Sequence, residues 1–148
     1  MLCKDVMKTA VARCRESDRV ERAARLMDDE RIGFLPVVDG FDRVLGVVTD
    51  RDLAIRVLGH SLGPETRVSE VMSRPPFAAC SEDDDLKKAE ARMAISRTSR
   101  VMVLDHAGRC VGIISLSDIA RADAGAPAGN LLRDVTNREA VNIAVSST

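Results

Sequence analysis

The pattern of apolar and polar positions begins with one amphipathic helix and two short strands. The helix is predicted by an apolar stripe at the i, i+3, i+4 and i+7 positions, formed by Val20, Ala23, Ala24 and Met27. Asp18 and Glu21 predict a capping box at its start. Two β-branched runs follow at 35–38 and 44–48, and the Asp and Gly residues between them predict a hairpin turn. A second helix is expected to begin after Thr49.

The same order of elements recurs 66 residues later in the chain. Residues 17–54 fall on 83–120 without a gap, and ten of the paired residues are identical. At an offset of 65, the pair Val6-Met7 falls on Val71-Met72, which extends the repeat towards the start of each copy. A fixed repeat of this length indicates a duplicated structural unit. Each copy therefore predicts one β-α-β-β-α unit.

The duplication predicts an α/β fold of the α+β type. A repeat of about 60 residues buries little apolar surface alone, so the two copies are expected to associate. We expect their sheets to pack together with the helices outside, related by a pseudo-two-fold axis. The predicted organisation is a first motif at 1–62, a second at 63–123, and a linker with a C-terminal helix and tail at 124–148, its helix beginning at Asn130.

Charge and hydropathy disfavour a nucleic-acid-binding protein and a membrane protein. The chain has 22 Lys and Arg against 23 Asp and Glu, and this balance disfavours binding to nucleic acid or to an anionic membrane. With three Phe and no Tyr or Trp, the chain also lacks a base-stacking platform. No apolar run reaches membrane-spanning length. Lys4, Asp5 and Lys8 interrupt any signal-peptide core, so a cytoplasmic location is expected.

The residues that usually carry metal or catalytic chemistry are scattered. The four cysteines form no C-x-x-C motif, and His60 and His106 stand apart from one another, so neither a metal site nor a disulfide framework is expected. Cys80 or Cys110 with His106 would be a nucleophile and base, but His106 falls in a predicted turn. The sequence has no P-loop and no G-x-G-x-x-G motif. We therefore expect a protein that is not an enzyme, with ordinary reduced thiols.

The most informative motif places a hydroxyl and a carboxylate at the end of a strand in both repeats. It spans 46–52 and 112–118, with Thr49 three residues before Asp52 and Ser115 three residues before Asp118. Such pairs serve as helix caps, because the hydroxyl accepts from a helix N–H group and the acid favours the positive end of the helix. The same arrangement can also offer a ribose two acceptor positions, or a phosphate the free N–H groups. Both roles remain open at this point.

The motif G-hydrophobic-hydrophobic-[ST]-x-x-D, with Leu35-Pro36-Val37-Val38-Asp39 and V-M before it, resembles the CBS motif. Two copies in tandem resemble a Bateman module of the stand-alone bacterial type, over residues 1–123. The resemblance implies an adenosine nucleotide in a cleft between the motifs, with Asp52 and Asp118 on the ribose and Thr49 and Ser115 near ribose or phosphate. It further implies phosphate contacts from Arg31, Arg97 and Arg100. The adenine would lie against Ala10, Val11, Ile32 and Phe34, and against Phe77, Ala78 and Thr98.

The two copies depart from the family pattern in different ways. Met102 stands where the motif usually has Pro, and Gly33-Phe34 replaces the basic pair found at Ser99-Arg100. We therefore expect at most one tight site, in which Asp52 and Thr49 are joined by Arg97 and Arg100, since Arg–phosphate bonds are strong.

The sequence leaves the choice of ligand and partner open. AMP, ADP, ATP, a dinucleotide and S-adenosylmethionine all fit the resemblance, and no cofactor is required. The resemblance also implies a homodimer that acts on a regulated protein partner. The alternative is a structural module that dimerises without any small ligand, because the same fold supports both roles.

Overall fold

The computed structural model describes residues 1–122 of the 148-residue chain. The C-terminal helix predicted from Asn130, with the whole of 124–148, lies outside these residues. The described part is mixed α/β with two three-stranded sheets, in agreement with the predicted fold class. No helix of residues 1–122 has the length and apolar character needed to cross a membrane.

The first half of the described chain contains three helices and three strands. Its helices are α1 (Cys3–Val6), α2 (Val20–Glu30) and α3 (Asp50–Asp52). The chain continues beyond α3 as a π-helical turn, Leu53–Val57, and then as 3₁₀ turns at Leu58–His60 and Val68–Glu70. Its strands are β1 (Cys14–Arg15), β2 (Phe34–Val38) and β3 (Val44–Thr49).

The second half repeats the order of a strand, a helix, two strands and a helix. The helices are α4 (Leu86–Ser96) and α5 (Leu116–Ala122). The strands are β4 (Ala79–Ser81), β5 (Arg100–Leu104) and β6 (Cys110–Ser115).

The two sheets have the same strand order and matching registers. In the first, β2 lies between β1 and β3, parallel to β1 and antiparallel to β3. In the second, β5 lies between β4 and β6 and is parallel to β4. Cys14 faces Val37 in the first sheet, and Cys80 faces Val103 in the second. Both members of this pairing are shifted by 66 residues, so the duplication extends to the hydrogen-bond register.

The described chain forms two compact units that do not follow chain order. The α2 unit contains Val11–Phe77 and Ala107–Cys110, and the α4 unit contains Met1–Ala10, Ala78–His106 and the described residues from Val111 onward. The segment that begins each repeat is therefore part of the unit formed by the other repeat. We call these two segments, 1–10 and 63–77, the exchanged leading segments. The predicted boundaries at 1–62 and 63–123 follow the order of the repeats along the chain instead.

Each unit has an aliphatic core of its own, as expected for a chain with almost no aromatic residues. The buried core of the α2 unit consists of Cys14, Val20, Ala23, Met27, Leu35, Val37, Val48, Val57, Val68, Val71 and Met72. The buried core of the α4 unit consists of Cys3, Cys80, Leu86, Ala89, Met93, Val101, Val103, Ile114, Leu116 and Ile119. Val20, Ala23 and Met27 of the predicted stripe of α2 face the core of the α2 unit, but Ala24 is exposed, so its place in the stripe was wrong. In α4 the core-facing residues are Leu86, Ala89 and Met93.

The predicted capping box at the start of α2 is wrong. No side chain caps this helix, and the Asp18 carboxylate instead accepts a hydrogen bond from the Arg15 backbone amide, at 2.8 Å. The Val20 amide donates to the Thr66 carbonyl, also at 2.8 Å. A helix N-terminus needs acceptors for its free N–H groups, and here the backbone of a distant segment supplies one.

The free N–H groups at the start of α4 find an acceptor in the same way, in the segment that begins the first repeat. The Leu86 amide donates to the Met1 carbonyl at 2.9 Å, and the Asp84 carboxylate accepts from the Ser81 amide at 2.8 Å. Asp85 adds a true side-chain cap, since its carboxylate accepts from the Lys87 amide at 3.0 Å. The exchanged segments therefore stabilise the long helices of both units through their backbones.

Candidate functional site

The end of β3 carries the first hydroxyl–carboxylate pair. The Thr49 hydroxyl accepts from the Asp52 amide at 3.1 Å, and Oδ2 of Asp52 accepts from the Thr49 amide at 3.0 Å. These reciprocal bonds make a capping box for α3. Asp52 is only 8% exposed, so its carboxylate is held in one position at the end of the strand.

The second carboxylate oxygen of Asp52 faces other polar groups. Oδ1 accepts from the Ser73 hydroxyl at 3.3 Å and lies 3.6 Å from Nε of Arg56. The backbone of Ser73 is fixed by two hydrogen bonds with Val47, of 2.8 and 2.9 Å. A β-carbon on Gly46 would overlap the Ser73 carbonyl oxygen, so only glycine admits this close approach.

The α4 unit repeats the pair at the end of β6. The Ser115 amide donates to Oδ2 of Asp118 at 2.9 Å, and the Asp118 amide donates to the Ser115 hydroxyl at 3.2 Å. Asp118 is 6% exposed. Its Oδ1 accepts from Arg121 at 2.6 Å and lies 3.5 Å from the Lys8 ammonium. Asp118 is therefore surrounded by two cations, whereas Asp52 has a hydroxyl and one cation.

Lys8 is held at this carboxylate by the backbone of the N-terminal segment. Its amide donates to the Ile113 carbonyl at 2.9 Å, and the Ile113 amide donates back at 3.0 Å. A β-carbon on Gly112 would overlap the side chain of Met7, the residue before Lys8. Lys8 and Ser73 each follow a V-M pair and occupy equivalent places in their units.

The surroundings of Asp118 favour its charged form. Burial opposes ionisation of the carboxyl group, but hydrogen bonds from Ser115 and Arg121 and the charge of Lys8 outweigh burial. Together they hold the pKa of Asp118 below its usual range. The carboxylate is therefore ionised at neutral pH and available as an acceptor.

Two of the predicted phosphate ligands share an unusual backbone conformation. Arg31 and Arg97 directly follow α2 and α4, with φ of 54° and 52°, in the left-handed region. Glycine is the usual residue at such a helix end, because it adopts this conformation without steric cost. Both side chains are exposed. The chain therefore keeps an exposed arginine at the same strained position in both units.

The start of the central strand differs between the units. Phe34 begins β2 directly opposite Thr49, and the Asp50 amide donates to the Gly33 carbonyl at 3.0 Å. In the α4 unit the Leu116 amide donates to the Ser99 carbonyl at 2.9 Å, and the exposed Arg100 begins β5. An aromatic ring in one unit is thus replaced by a guanidinium group in the other.

The predicted adenine contacts are divided between the units. Val11, Ile32 and Phe77 belong to the α2 unit and are half-buried, and Ile32 packs against its core. Ala10, Ala78 and Thr98 belong to the α4 unit. The structure thus places Thr49, Asp52, Arg31 and Phe34 in the α2 unit, and Ser115, Asp118, Arg97 and Arg100 in the α4 unit. Each predicted adenine set is split, because Ala10 is separated from Val11, Ile32 and Phe34, and Phe77 from Ala78 and Thr98. The pairing of Asp52 and Thr49 with Arg97 and Arg100 stays a prediction.

Four polar residues at these carboxylates were not predicted from the sequence, namely Ser73, Arg56, Lys8 and Arg121. Two of them could have been found from the repeat itself, because Lys8 and Ser73 directly follow the aligned V-M pairs. Arg56 and Arg121 lie four and three residues after their aspartates, a helical spacing that brings side chains together. Within residues 1–122, no group of three or more His, Cys, Asp or Glu side chains is placed to hold a metal ion.

Comparison with known proteins gives one consistent family. The family model described as "CBS domain" matches residues 3–59 and 68–125. The CBS domain-containing protein YhcV of Bacillus subtilis is 36% identical over 118 residues, which cover 79% of this chain and 81% of that protein. Hypoxic response protein 1 of Mycobacterium tuberculosis is 30% identical over 118 residues, covering 80% of this chain and 82% of the relative.

Solved structures show the same fold. The crystal structure of hypoxic response protein I with two coordinated zinc ions has a TM-score of 0.74 at 30% identity, covering 82% of this chain and 98% of that one. The CBS domain pair of protein MJ0100, in complex with 5-methylthioadenosine and S-adenosyl-L-methionine, has a TM-score of 0.71 at 27% identity. This match covers 82% of this chain and 94% of that one.

Proposed function

The chain belongs to the CBS domain family, and from this premise we propose that it is a regulatory module that binds an adenosine-type nucleotide. The observation that carries the proposal is the duplicated carboxylate, Asp52 and Asp118, which is nearly buried and fixed in the same way in both units. We assign it the ribose hydroxyls, because an ionised carboxylate accepts two hydrogen bonds from neighbouring hydroxyl groups.

Helix capping accounts for only one of the two oxygen atoms of each carboxylate. The capping box uses Oδ2 in both units, whereas Oδ1 faces side-chain donors. A cap needs only one oxygen. Oδ1 can therefore accept a hydrogen bond from a ribose hydroxyl in place of its present side-chain donor. Arg56 and Arg121 would then be released from their aspartates when the ligand binds.

The cations at the predicted phosphate positions and beside Asp118 favour phosphate at the α4 unit. Arg97, Arg100 and Lys8 all belong to this unit, and Lys8 stands where the α2 unit has Ser73. Arginine binds phosphate through charge-assisted hydrogen bonds with fixed geometry. We propose that Arg97 and Arg100 bind the phosphates, with Arg31 as the weaker equivalent in the α2 unit.

The adenosine class is proposed from the chain's own residues and from one relative. Apolar side chains such as Val11, Ile32 and Phe34 suit the flat face of a purine, and the MJ0100 domain pair is described with two adenosine ligands. AMP, ADP, ATP, 5-methylthioadenosine and S-adenosylmethionine are the ligands to compare. The ligand regulates only if it binds two arrangements of the protein with different affinity, and we propose that a dimer interface or a protein partner reads the difference.

The experiment is a thermal-shift and calorimetric comparison of these adenosine ligands, with GTP as the control nucleotide. A ligand at a hundred times its Kd adds roughly 2.7 kcal/mol of stability, which raises Tm by several degrees. The Asp52→Asn/Asp118→Asn double variant should lose this shift. Asp29→Asn, a change at an exposed acid of α2, should keep it.

Two results would contradict the proposal. The first is that no adenosine ligand shifts Tm while the protein is folded. The second is that the shift survives in the folded double variant, since the aspartates would then act only as helix caps.

A second candidate, a module that assembles without a small ligand, is favoured by an apolar groove in the α2 unit. The groove has a volume of about 560 Å³, and it is lined by α2, by the turn after β3 and by the segment up to Pro64. Leu58 on its rim is 76% exposed. We propose a second copy of the chain as its occupant. Leu58→Lys should then convert a dimer to a monomer in sedimentation equilibrium, and a monomeric wild type would exclude this candidate.

A further inference from the structure

Two buried thiols of the α4 unit are in direct contact. Cys3 lies in α1 at the start of the chain, and Cys80 lies in β4. Their sulfur atoms are 3.5 Å apart, and the residues are 0% and 7% exposed. Both cysteines are free. The Cys80 sulfur also donates to the Met102 carbonyl at 3.7 Å, and the Cys3 sulfur to the Asp85 carbonyl at 3.8 Å.

Backbone hydrogen bonds hold the first thiol in this place. The Cys3 amide donates to the Asp84 carbonyl at 2.9 Å, and the Lys4 amide donates to the Glu82 carbonyl at 3.0 Å. These bonds fasten α1 to the loop between β4 and α4. The two sulfurs are therefore brought together by the fold and not by a chance side-chain rotamer.

We propose that Cys3 and Cys80 form a reversible disulfide that fastens the N-terminal segment, Met1–Ala10, to the rest of the α4 unit. The oxidant is a low-molecular-weight disulfide. One protein thiolate attacks it, forms a mixed disulfide and releases one small thiolate. The second protein thiolate then attacks the mixed disulfide and releases the other. Two protein thiols are oxidised, the small disulfide is reduced to two thiols, and the two thiol protons pass to solvent.

The geometry allows this bond with a small movement. A disulfide has its sulfurs about 2.05 Å apart, so the contact must close by roughly 1.5 Å. The α1 helix has only four residues, and β4 is an edge strand of its sheet. Short helices and edge strands shift more easily than the centre of a core.

The α2 unit provides the internal contrast. Cys14 is the repeat equivalent of Cys80, but the equivalent of Cys3 is Val68, which is buried in the core of the α2 unit. At this place the α2 unit therefore has one thiol where the α4 unit has two. The α2 unit therefore cannot form the equivalent disulfide, because Val68 has no thiol.

The reaction is expected to be slow in both directions. Burial raises the pKa of Cys3, and it raises the pKa of Cys80 to about 12, so little thiolate is present at neutral pH. A small disulfide also reaches the sulfurs only when the N-terminal segment opens. The bond, once formed, is shielded from reducing thiols in the same way.

The test is equilibration of the full chain in glutathione buffers of increasing oxidised fraction. Equilibrium is approached both from the native reduced protein and from protein unfolded and refolded in the same buffer. The thiols are then alkylated under denaturing conditions. Alkylation should fall from four thiols to two, and peptide mapping should find Cys3 joined to Cys80 within one chain. The oxidised form should have a Tm higher by roughly 5–10 °C.

Matched variants separate this pair from the other cysteines. Cys14→Ala/Cys110→Ala keeps only the proposed pair and should lose both remaining thiols on oxidation. Cys3→Val copies the residue of the α2 unit and should show no intramolecular bond and no rise in Tm. The proposal is overturned if both routes leave every thiol reactive at the most oxidising ratio. It is equally overturned if the only products are glutathione adducts or disulfides between chains.

Discussion

The two units use the same backbone hydrogen bonds and place different side chains on them. Ser73 pairs with Val47 in the α2 unit as Lys8 pairs with Ile113 in the α4 unit, with distances that agree within about 0.2 Å. The first brings a hydroxyl to Asp52 and the second brings an ammonium to Asp118. The comparison shows that the duplicated backbone fixes where a group stands, while a single residue difference changes the charge beside the two aspartates.

The largest expected effect is a difference in stability between alanine substitutions at the two motif glycines, Gly46 and Gly112. Gly46→Ala places a methyl group against the Ser73 carbonyl, a backbone atom held in a strand pairing, whereas Gly112→Ala meets the side chain of Met7 on the N-terminal segment. We expect the first to lower the free energy of unfolding by about 3 kcal/mol and the second by about 1 kcal/mol. Urea unfolding measures both. Equal losses would show that the N-terminal segment is as rigid as the strand.

The second effect concerns the ionisation of Asp118. Its folded pKa is lowered, so the ionised group adds stability above its unfolded pKa of about 3.9, and this stability is lost as pH falls through the folded pKa. We expect Asp118→Asn to cost about 1–2 kcal/mol at neutral pH, and progressively less as the pH falls through the lowered folded pKa. Urea unfolding across this pH range tests it, with Asp29→Asn as the control. A cost that is independent of pH would contradict the ionic contribution.

An exchange of the residues after the V-M pairs would sharpen the comparison of charge. Lys8→Ser copies the α2 unit at Asp118, and Ser73→Lys copies the α4 unit at Asp52. We expect about fivefold weaker ATP binding for the first and about fivefold tighter binding for the second, because an exposed charge contributes on the order of 1 kcal/mol. 5-Methylthioadenosine carries no phosphate and serves as the matched ligand in calorimetry. An equal change for both ligands would mean that Lys8 acts through structure and not through phosphate.

The smallest effect tests the strained helix ends. Arg31→Gly and Arg97→Gly each remove a β-carbon from the left-handed region, and both should raise the free energy of unfolding by about 0.5–1 kcal/mol. Differential scanning calorimetry measures the gain. If Arg97 binds phosphate as proposed, its glycine variant becomes more stable and yet binds ATP more weakly. A loss of stability in either variant would show that the arginine side chain makes a structural contact.

Much of the fold follows from local sequence. The apolar stripe from Val20 to Met27 predicts α2, and the β-branched runs predict β2 and β3, because these patterns depend only on which positions face a core. The Thr49–Asp52 and Ser115–Asp118 pairs were likewise found at the strand ends from spacing alone. Such features are short-range, so a single sequence is enough to place them.

The exchange of the leading segments could not be predicted in this way. Met7 and Met72 are equivalent in the repeat, and each suits the core of either unit, so apolar patterning does not decide which unit receives which segment. The failed capping box has the same origin. The Asp18 carboxylate closes a turn with Arg15, while the Val20 amide finds its acceptor at Thr66, a carbonyl that no sequence pattern identifies. Lys8 reaches Asp118 only as a result of this exchange.

The exchanged segments also determine how this chain can be cut. A gene fragment that encodes the first repeat alone would produce a protein whose first ten residues belong to the α4 unit. Its own long helix, α2, would lack the Thr66 carbonyl that accepts a hydrogen bond at its start. Two fragments, one for each repeat, could form both units only if the first segment of each packed onto the other fragment. The boundary between the repeats in the gene is therefore not a place where the folded protein divides.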